Sequence, residues 1–331
     1  MNISIIIPNY NGAALLKKNL PKVFEAAEYY LEYRTSEIEI IIVDDCSEDN
    51  SIEEIKNQKS ILRQSSGQKS PPKGDQPLAE KIIIKYLKNE KNLGFASTVN
   101  RGVKESNADF VALINTDVVP EKNFLVAALN DLQSDENLFG VGFMDKSIEG
   151  GKTVLRGRGE ALWEKGFLVH RRGEVDRADT FWISGGSSIV RRELFEKLSG
   201  FDSLYNPFYW EDIDLSYRAG KSGYKIKFEA RSAVVHKHSE GSIKKYFGDF
   251  QVKTTAYRNQ FIFVWKNITD LNLIVSHLLW LPYHLSTTVL RLDMPFLLGF
   301  LLAIKRLPAI IMKRSEQRKF YKVRDSDLLK S

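Results

Sequence analysis

Four short apolar runs punctuate the first third of the chain: Ile3 to Ile7, Glu39 to Val43, Ile82 to Tyr86 and Phe110 to Ile114. None alternates cleanly between polar and apolar side chains. A strand of that kind is buried on both faces and needs helices above and below it. Helical spacing lies between the runs. It is predicted over residues 15–33, with Leu16, Leu20, Val23, Phe24 and Ala27 on one side, over 51–61, and over 95–106. The pattern therefore specifies an α/β fold with a mostly parallel central sheet flanked by helices. Residues 63–80, rich in Ser, Gln, Lys, Pro and Gly, read as a surface loop.

Sheets of this class bind ligands beyond the carboxyl ends of their strands. Pro8 to Asn11, Asp44-Asp45 and Asn115 to Asp117 all fall there. For each, two readings stand at this stage. Asp44-Asp45 either accepts hydrogen bonds from a base or ribose, or forms an Asx turn before the next helix. Asp117 either holds Mg²⁺ or Mn²⁺ against a diphosphate, since hard cations take oxygen ligands, or is a turn residue. Glu211-Asp212, followed by Asp214 and flanked by Tyr209, Trp210 and Ile213, can supply a general base to a hydroxyl. Equally, acids at a helix start favour the dipole. His236 and His238 follow the short strand Ala233 to Val235, as metal ligands or as polar strand-end residues.

Other chemistries are excluded. No G-x-G-x-x-G follows the first strand, and Lys146 stands where a phosphate loop ending in Gly150-Gly151-Lys152-Thr153 would need its first glycine. The single cysteine, Cys46, allows neither an intrachain disulfide nor a cysteine zinc site. Asn267-Ile268-Thr269 matches a glycosylation acceptor, a triplet common by chance. Only Met1 and Asn2 precede the first apolar run, so no cleaved leader is expected.

The net charge is +6, and residues 305–331 account for all of it with nine Lys/Arg against three Asp/Glu. This basic tail follows apolar segments 271–281 and 294–304, interrupted by Pro282, Arg291, Asp293 and Pro295. Neither segment reaches the ~20 residues of a membrane span. Helices lying in a membrane interface are expected, with Trp265, Trp280 and Tyr283 at headgroup depth. Helices buried in a bundle and a true span are the other readings. The division expected is a catalytic domain over 1–240 and a helical, membrane-associating region with a basic tail over 241–331.

Taken in order, these residues resemble glycosyltransferase family 2, in particular its rhamnosyltransferase-like members. The resemblance runs from residue 3 to about 260. It is carried by Ile5 to Gly12, Val43 to Ser47, Asn92 to Ala96 with Asn100 and Gly102, Leu113 to Val118, Ser184 to Gly186, Gly200 to Asp202, Glu211 to Leu215 with Arg218, and His236 to Ser239. It implies a GT-A nucleotide-diphospho-sugar transferase fold and an inverting, metal-dependent transfer of a sugar to an acceptor hydroxyl. Pro8, Tyr10 and Asp45 would line the nucleobase pocket, and Asn92, Gly94 and Asn100 would lie near ribose and phosphates. Asp117 would be the metal ligand of the family's DXD motif. Asn115 replaces the first acid, able to bond ribose but lowering the site's charge by one. His236 would complete the metal shell. Asp212 would be the base and Glu211 would orient the acceptor, with Gly185, Gly186 and Trp210 around sugar and acceptor. A nucleotide-diphospho-sugar donor, Mn²⁺ or Mg²⁺, and a glycan or lipid-linked acceptor are implied, at the cytoplasmic face of a membrane as a peripheral protein. No nucleic-acid partner is expected, and the oligomeric state is left open. Two rival readings are a nucleotidyltransferase, which lacks support because Pro8 to Asn11 is not a Gly-rich basic loop, and a non-catalytic membrane-associated sugar-nucleotide-binding protein.

Overall fold

A computed structural model describes residues 2–32, 37–66, 78–237 and 246–329. Strands β1 (Ile3–Asn9), β2 (Ile38–Asp44), β3 (Ile82–Lys88) and β4 (Phe110–Ile114) pair in parallel in the order β3-β2-β1-β4. Every residue of β2 and β4 is buried, including Glu39 and Asp44 of β2, so both strands are covered on both faces. Helices α1 (Ala13–Glu32), α2 (Ser51–Ser66) and α3 (Phe95–Lys104) connect them. Helix α2 extends through 63–66, which the sequence assigned to a loop, and 78–81 form a 3₁₀ turn. The rest of that expected loop, 67–77, lies outside the described residues.

The second half of the sheet departs from the parallel pattern. It comprises β5 (Val118–Pro120), β6 (Leu138–Glu149), β7 (Lys152–Arg156), β10 (Ser187–Arg191) and β11 (Lys225–His236), with α4 (Phe124–Ser134), α5 (Arg192–Lys197) and α6 (Glu211–Lys221) between them. Strand β10 inserts antiparallel between β4 and β6, and β11 runs parallel to β6 and antiparallel to β5. The full order is β3-β2-β1-β4-β10-β6-β11-β5, with β7 hairpinned onto β6, so the sheet is mixed. Gly150-Gly151 is the two-residue turn of that hairpin. Both glycines take positive φ, the requirement of a tight hairpin turn, which explains their presence without a phosphate. Strands β8 (Gly159–Glu164) and β9 (Phe167–Arg172) form a separate hairpin.

The C-terminal helices are α7 (Asp249–Asn267), α8 (Leu271–Arg291), α9 (Met294–Lys305), α10 (Leu307–Arg318) and α11 (Asp325–Leu328). One expectation is corrected here. Helix α8 runs unbroken through Pro282 for 21 residues, so by length and composition it could cross a membrane. The basic tail packs back on the body of the protein. The Lys322 and Val323 amides donate to the Lys221 carbonyl at 2.7 and 3.0 Å. Asp325, fully buried, pairs with Lys221 Nζ at 2.7 Å and accepts from the Asp270 amide at 2.6 Å. The expected division at 240/241 falls among residues 238–245, outside those described. One apolar cluster crosses it, joining Tyr205, Trp210, Ile213 and Tyr217 to Phe261, Phe263, Phe296 and Ile310.

Candidate active site

At the end of β2 the two adjacent acids do different work. Asp44 forms the Asx turn: Oδ2 accepts from the Ser47 amide at 3.1 Å and Oδ1 from Asn9 Nδ2 at 2.8 Å. Asp45 accepts from Asn89 Nδ2 (2.7 Å) and from the amides of Leu93 (2.8 Å) and Gly94 (2.9 Å). Its carboxylate is buried and engaged with three protein donors. It thereby holds the Leu93-Gly94 turn against the end of β2. Gly94 opens α3 at φ 81°, and a Cβ there would meet Asn206 at 2.9 Å. Asn92 is exposed, its Oδ1 accepting from the Gly94 amide at 3.1 Å. Asn100 pairs with the Phe201 backbone through both ends of its amide, at 2.7 and 2.9 Å, so it pins α3 to that loop. Pro8 is half-buried at the end of β1, and the Tyr10 ring lies 5.7 Å from Tyr246.

Beyond β4, the Asn115 amide donates to the Gly186 carbonyl at 3.0 Å. The Asn115 side chain fills the space a Gly186 Cβ would occupy, 2.2 Å from its Nδ2, so a larger residue at 186 would displace that amide. Asn115 Oδ1 is buried with no protein hydrogen-bond partner. Registry between β11, β5 and β6 sets His236 opposite Val118 and Ser147. Its Nε2 thus lies 3.2 Å from Asp117 Oδ2 and its Nδ1 2.9 Å from Asp145 Oδ2. Burial disfavours the imidazolium, but hydrogen bonds and charge from the two carboxylates outweigh it and push the His236 pKa up to about 9. The carboxylate oxygen suits Mn²⁺ or Mg²⁺, and the imidazole beside it favours Mn²⁺, the transition metal of the two. With Asp145 on Nδ1, the ring presents Nε2 toward Asp117, the carboxylate–histidine arrangement that orients metal ligands. Among the described residues no set of three or more His, Cys, Asp and Glu surrounds a single ion position, so donor oxygens would have to complete the shell. His238 lies outside the described residues. The sequence reading missed Asp145. Its one local signal is an acid ending the apolar stretch of β6.

The Glu211-Asp212 pair begins α6. The Gly185 amide donates to Asp212 Oδ2 at 3.3 Å, and the Ile213 amide to Oδ1 at 2.8 Å. A side chain at Gly185 would press on Phe95 and Phe201 at 3.1 and 3.2 Å. Burial raises the Asp212 pKa, offset in part by those two amides. Glu211 is raised well above the ordinary carboxylate value, first by burial and then by the charge of Asp212, and its buried Oε2 has no hydrogen-bond partner. Asp214 is the opposite case. Burial would raise it, but Arg218 Nε at 2.7 Å and Lys266 Nζ at 2.8 Å hold it down to about 2, so it is a permanently ionised structural group. Trp210 is 5% exposed and packs on His170 and Phe263, ring centroids 5.1 and 5.3 Å away. Its ring is core wall and offers no open face to an acceptor. The exposed aromatic beside the pair is Tyr209.

Comparison with known proteins agrees with this arrangement. A family model, glycosyl transferase family 2, matches residues 4–199. A probable glycosyltransferase of Bacillus subtilis (strain 168), YdaM, is 25% identical over 231 residues, covering 68% of this chain and 48% of that protein. An N-acetylglucosaminyl-diphospho-decaprenol L-rhamnosyltransferase of Mycobacterium tuberculosis (strain ATCC 25618 / H37Rv) is 25% identical over 188 residues, covering 48% of this chain and 61% of that protein. The chain thus spans about half the length of the first of these relatives. The solved structure of GalNAc-T7 with UDP, GalNAc and Mn²⁺ superposes with a TM-score of 0.58 at 16% identity, covering 80% of this chain and 48% of that one. The fold is GT-A.

Proposed function

This chain belongs to glycosyl transferase family 2, and from that premise we propose that it transfers a sugar from a nucleotide-diphospho-sugar to an acceptor hydroxyl, inverting the anomeric carbon. The observation that carries the reading is a continuous chain of contacts: Asn115 to Gly186, and Gly185 to Asp212. It joins the end of β4, beside the Asp117–His236 pair, to a carboxylate that burial makes more basic. A raised pKa suits a general base. Asp212 takes the proton of the acceptor hydroxyl as that oxygen attacks the anomeric carbon. Glu211, kept protonated by its surroundings, donates to the acceptor. Asp117 and His236 would hold Mn²⁺ or Mg²⁺, which, when bound, neutralises charge on the departing nucleotide diphosphate. The backbone around Pro8, Tyr10, Asn92 and Gly94 would take the nucleoside, with Asn115 bonding ribose.

The sugar is rhamnose and the acceptor a lipid-linked glycan in our reading, which the mycobacterial relative's name supports. The C-terminal helices support an interfacial site for such a substrate. Leu271, Leu279, Leu290 and Leu292 are each more than 70% exposed, and Ile304, Ile311 and Met312 are exposed as well. Lys305, Arg306 and Arg318 lie close to the last three in sequence, and basic groups there complement an anionic leaflet. The opposite face of α8 is bonded to the β8–β9 turn: Ser276 accepts from Trp163 Nε1 at 3.2 Å, and His284 Nε2 lies 2.8 Å from the Lys165 carbonyl. A spanning α8 would carry exposed Glu164 and Lys165 into hydrocarbon, so a helix lying at the cytoplasmic interface is the better reading. The test is nucleotide release from a panel of UDP-, GDP- and dTDP-sugars with Mn²⁺, read against the same panel with chelator. Binding without release from any donor would favour a non-catalytic sugar-nucleotide-binding protein.

A further inference from the structure

The segment from Tyr205 to Trp210 sets where α6 begins, and its backbone is not one the chain adopts freely. Tyr209 and Trp210 take φ of 70° and 78°, the left-handed region, and neither is glycine. Consecutive bulky residues stay there only where their surroundings over-determine the conformation. One side chain of α7 does so. Asn259 is fully buried, and its Nδ2 lies 2.9, 3.0 and 2.8 Å from the carbonyl oxygens of Tyr205, Phe208 and Tyr209. Its Oδ1 accepts from Arg258 Nε at 2.9 Å, which fixes which end of the amide is the donor. Arg258 Nη2 donates to the Asn206 carbonyl at 2.6 Å. On its far side the same loop is tied to the donor half, Asn206 Nδ2 donating to the Leu93 carbonyl at 2.7 Å.

We propose that Asn259 is a positioning residue for the transfer reaction: its carbonyl contacts hold Tyr209-Trp210 in the left-handed conformation that aims Asp212 at the Gly185 amide. The inference rests on the reading of Asp212 as the base. Asn259 belongs to the C-terminal helices, outside the family match and 50 to 54 residues along the chain from the carbonyls it binds. A buried amide serving only to fill space would need two acceptors anywhere. This one spends its donors on a single short loop at the point of strain.

The test uses the full chain with Asn259→Leu, which keeps volume and removes the donors, and Tyr209→Gly alone and combined with it. Three quantities are read: hydrogen–deuterium exchange of residues 205–214, the Kd of whichever of UDP, GDP and dTDP binds wild type with Mn²⁺, and nucleotide-sugar turnover. Exchange across 208–214 should rise tenfold or more while β1 and β2 keep their protection. The nucleotide Kd should stay within threefold, and kcat should fall at least tenfold. Glycine takes positive φ freely, so Tyr209→Gly in the Asn259→Leu background should recover threefold or more of the lost kcat. A merely structural role would raise exchange throughout the chain and gain nothing from Tyr209→Gly. Unchanged loop exchange, unchanged turnover or absence of rescue overturns the proposal. If Asn259→Leu does not fold, Asn259→Ser, which retains one donor, carries the same comparison. Asp212→Asn is run beside them. If it keeps wild-type turnover, the base reading fails, and loop exchange alone then decides whether Asn259 holds the loop.

Discussion

The amide of Gly185 points at Asp212 Oδ2 from 3.3 Å, so a backbone donor just before β10 fixes the carboxylate at the start of α6. An asparagine can keep one amide contact and the shape, but it cannot take a proton. Asp212→Asn is therefore expected to bind nucleotide with Mn²⁺ nearly as wild type does and to turn over about 10²-fold more slowly or worse. Single-turnover nucleotide release, measured beside a binding titration, separates the two effects. Turnover within a few-fold of wild type would remove Asp212 from the base role.

Burial raises Glu211 and Asp212 together, and Glu211 further through the charge of Asp212. The base works ionised, so kcat should rise with pH through an apparent pKa above the usual carboxylate range and then level. Glu211 stays protonated while Asp212 ionises, so Glu211→Gln should leave that acidic limb in place while weakening acceptor use. The sign for stability is opposite to that of a salt-bridged acid. A folded-state pKa above the unfolded value means stability is lost as pH rises through the interval. A pH–rate profile of both proteins checks this, and an acidic limb shifted by a full unit in Glu211→Gln would contradict the order of ionisation.

The Asp145 carboxylate lies 2.9 Å from His236 Nδ1. Removing such a partner costs metal affinity roughly 10- to 100-fold in known sites. Asp145→Asn should weaken Mn²⁺ binding to the nucleotide-bound protein by about that factor, read by electron paramagnetic resonance of free Mn²⁺. Asp117→Ala should do so more strongly, through loss of an anionic oxygen ligand. A protein whose nucleotide binding ignores chelator would retire the metal role of all three residues.

Because the tail packs back on Lys221, deleting it would disturb α6, and point changes test membrane docking better. Replacing exposed Leu279 and Leu290 with glutamate should reduce flotation with anionic vesicles at low and high salt alike. Replacing Lys305, Arg306 and Arg318 should lower binding mainly at low salt, since each basic group near an anionic surface contributes about 1 kcal/mol that salt screens. Wild type that never floats, even at low salt, would assign this apolar face to a contact between copies of the chain. Wild type that resists alkaline extraction would make α8 a span.

The sequence by itself determined the elements and the end of the sheet where chemistry belongs. Phe110 to Ile114 is apolar throughout and Ile3 to Ile7 is broken only by Ser4, so both read as strands covered on both faces, and Asn115 and Asp117 emerge at the carboxyl edge. Periodicity is a local property, and it reports faithfully on what is local. Tertiary structure alone decided which polar groups meet. Asp145 reaches His236 across 91 residues through the β6–β11 pairing, and Asn100 bonds the Phe201 backbone, 101 residues on. Asp45 and Trp210, expected from the resemblance to line ligand sites, are held inside, one by three donors and the other by aromatic packing. No local pattern encodes such partnerships, because they are chosen by the need to satisfy every buried donor and acceptor once the sheet and helices have closed.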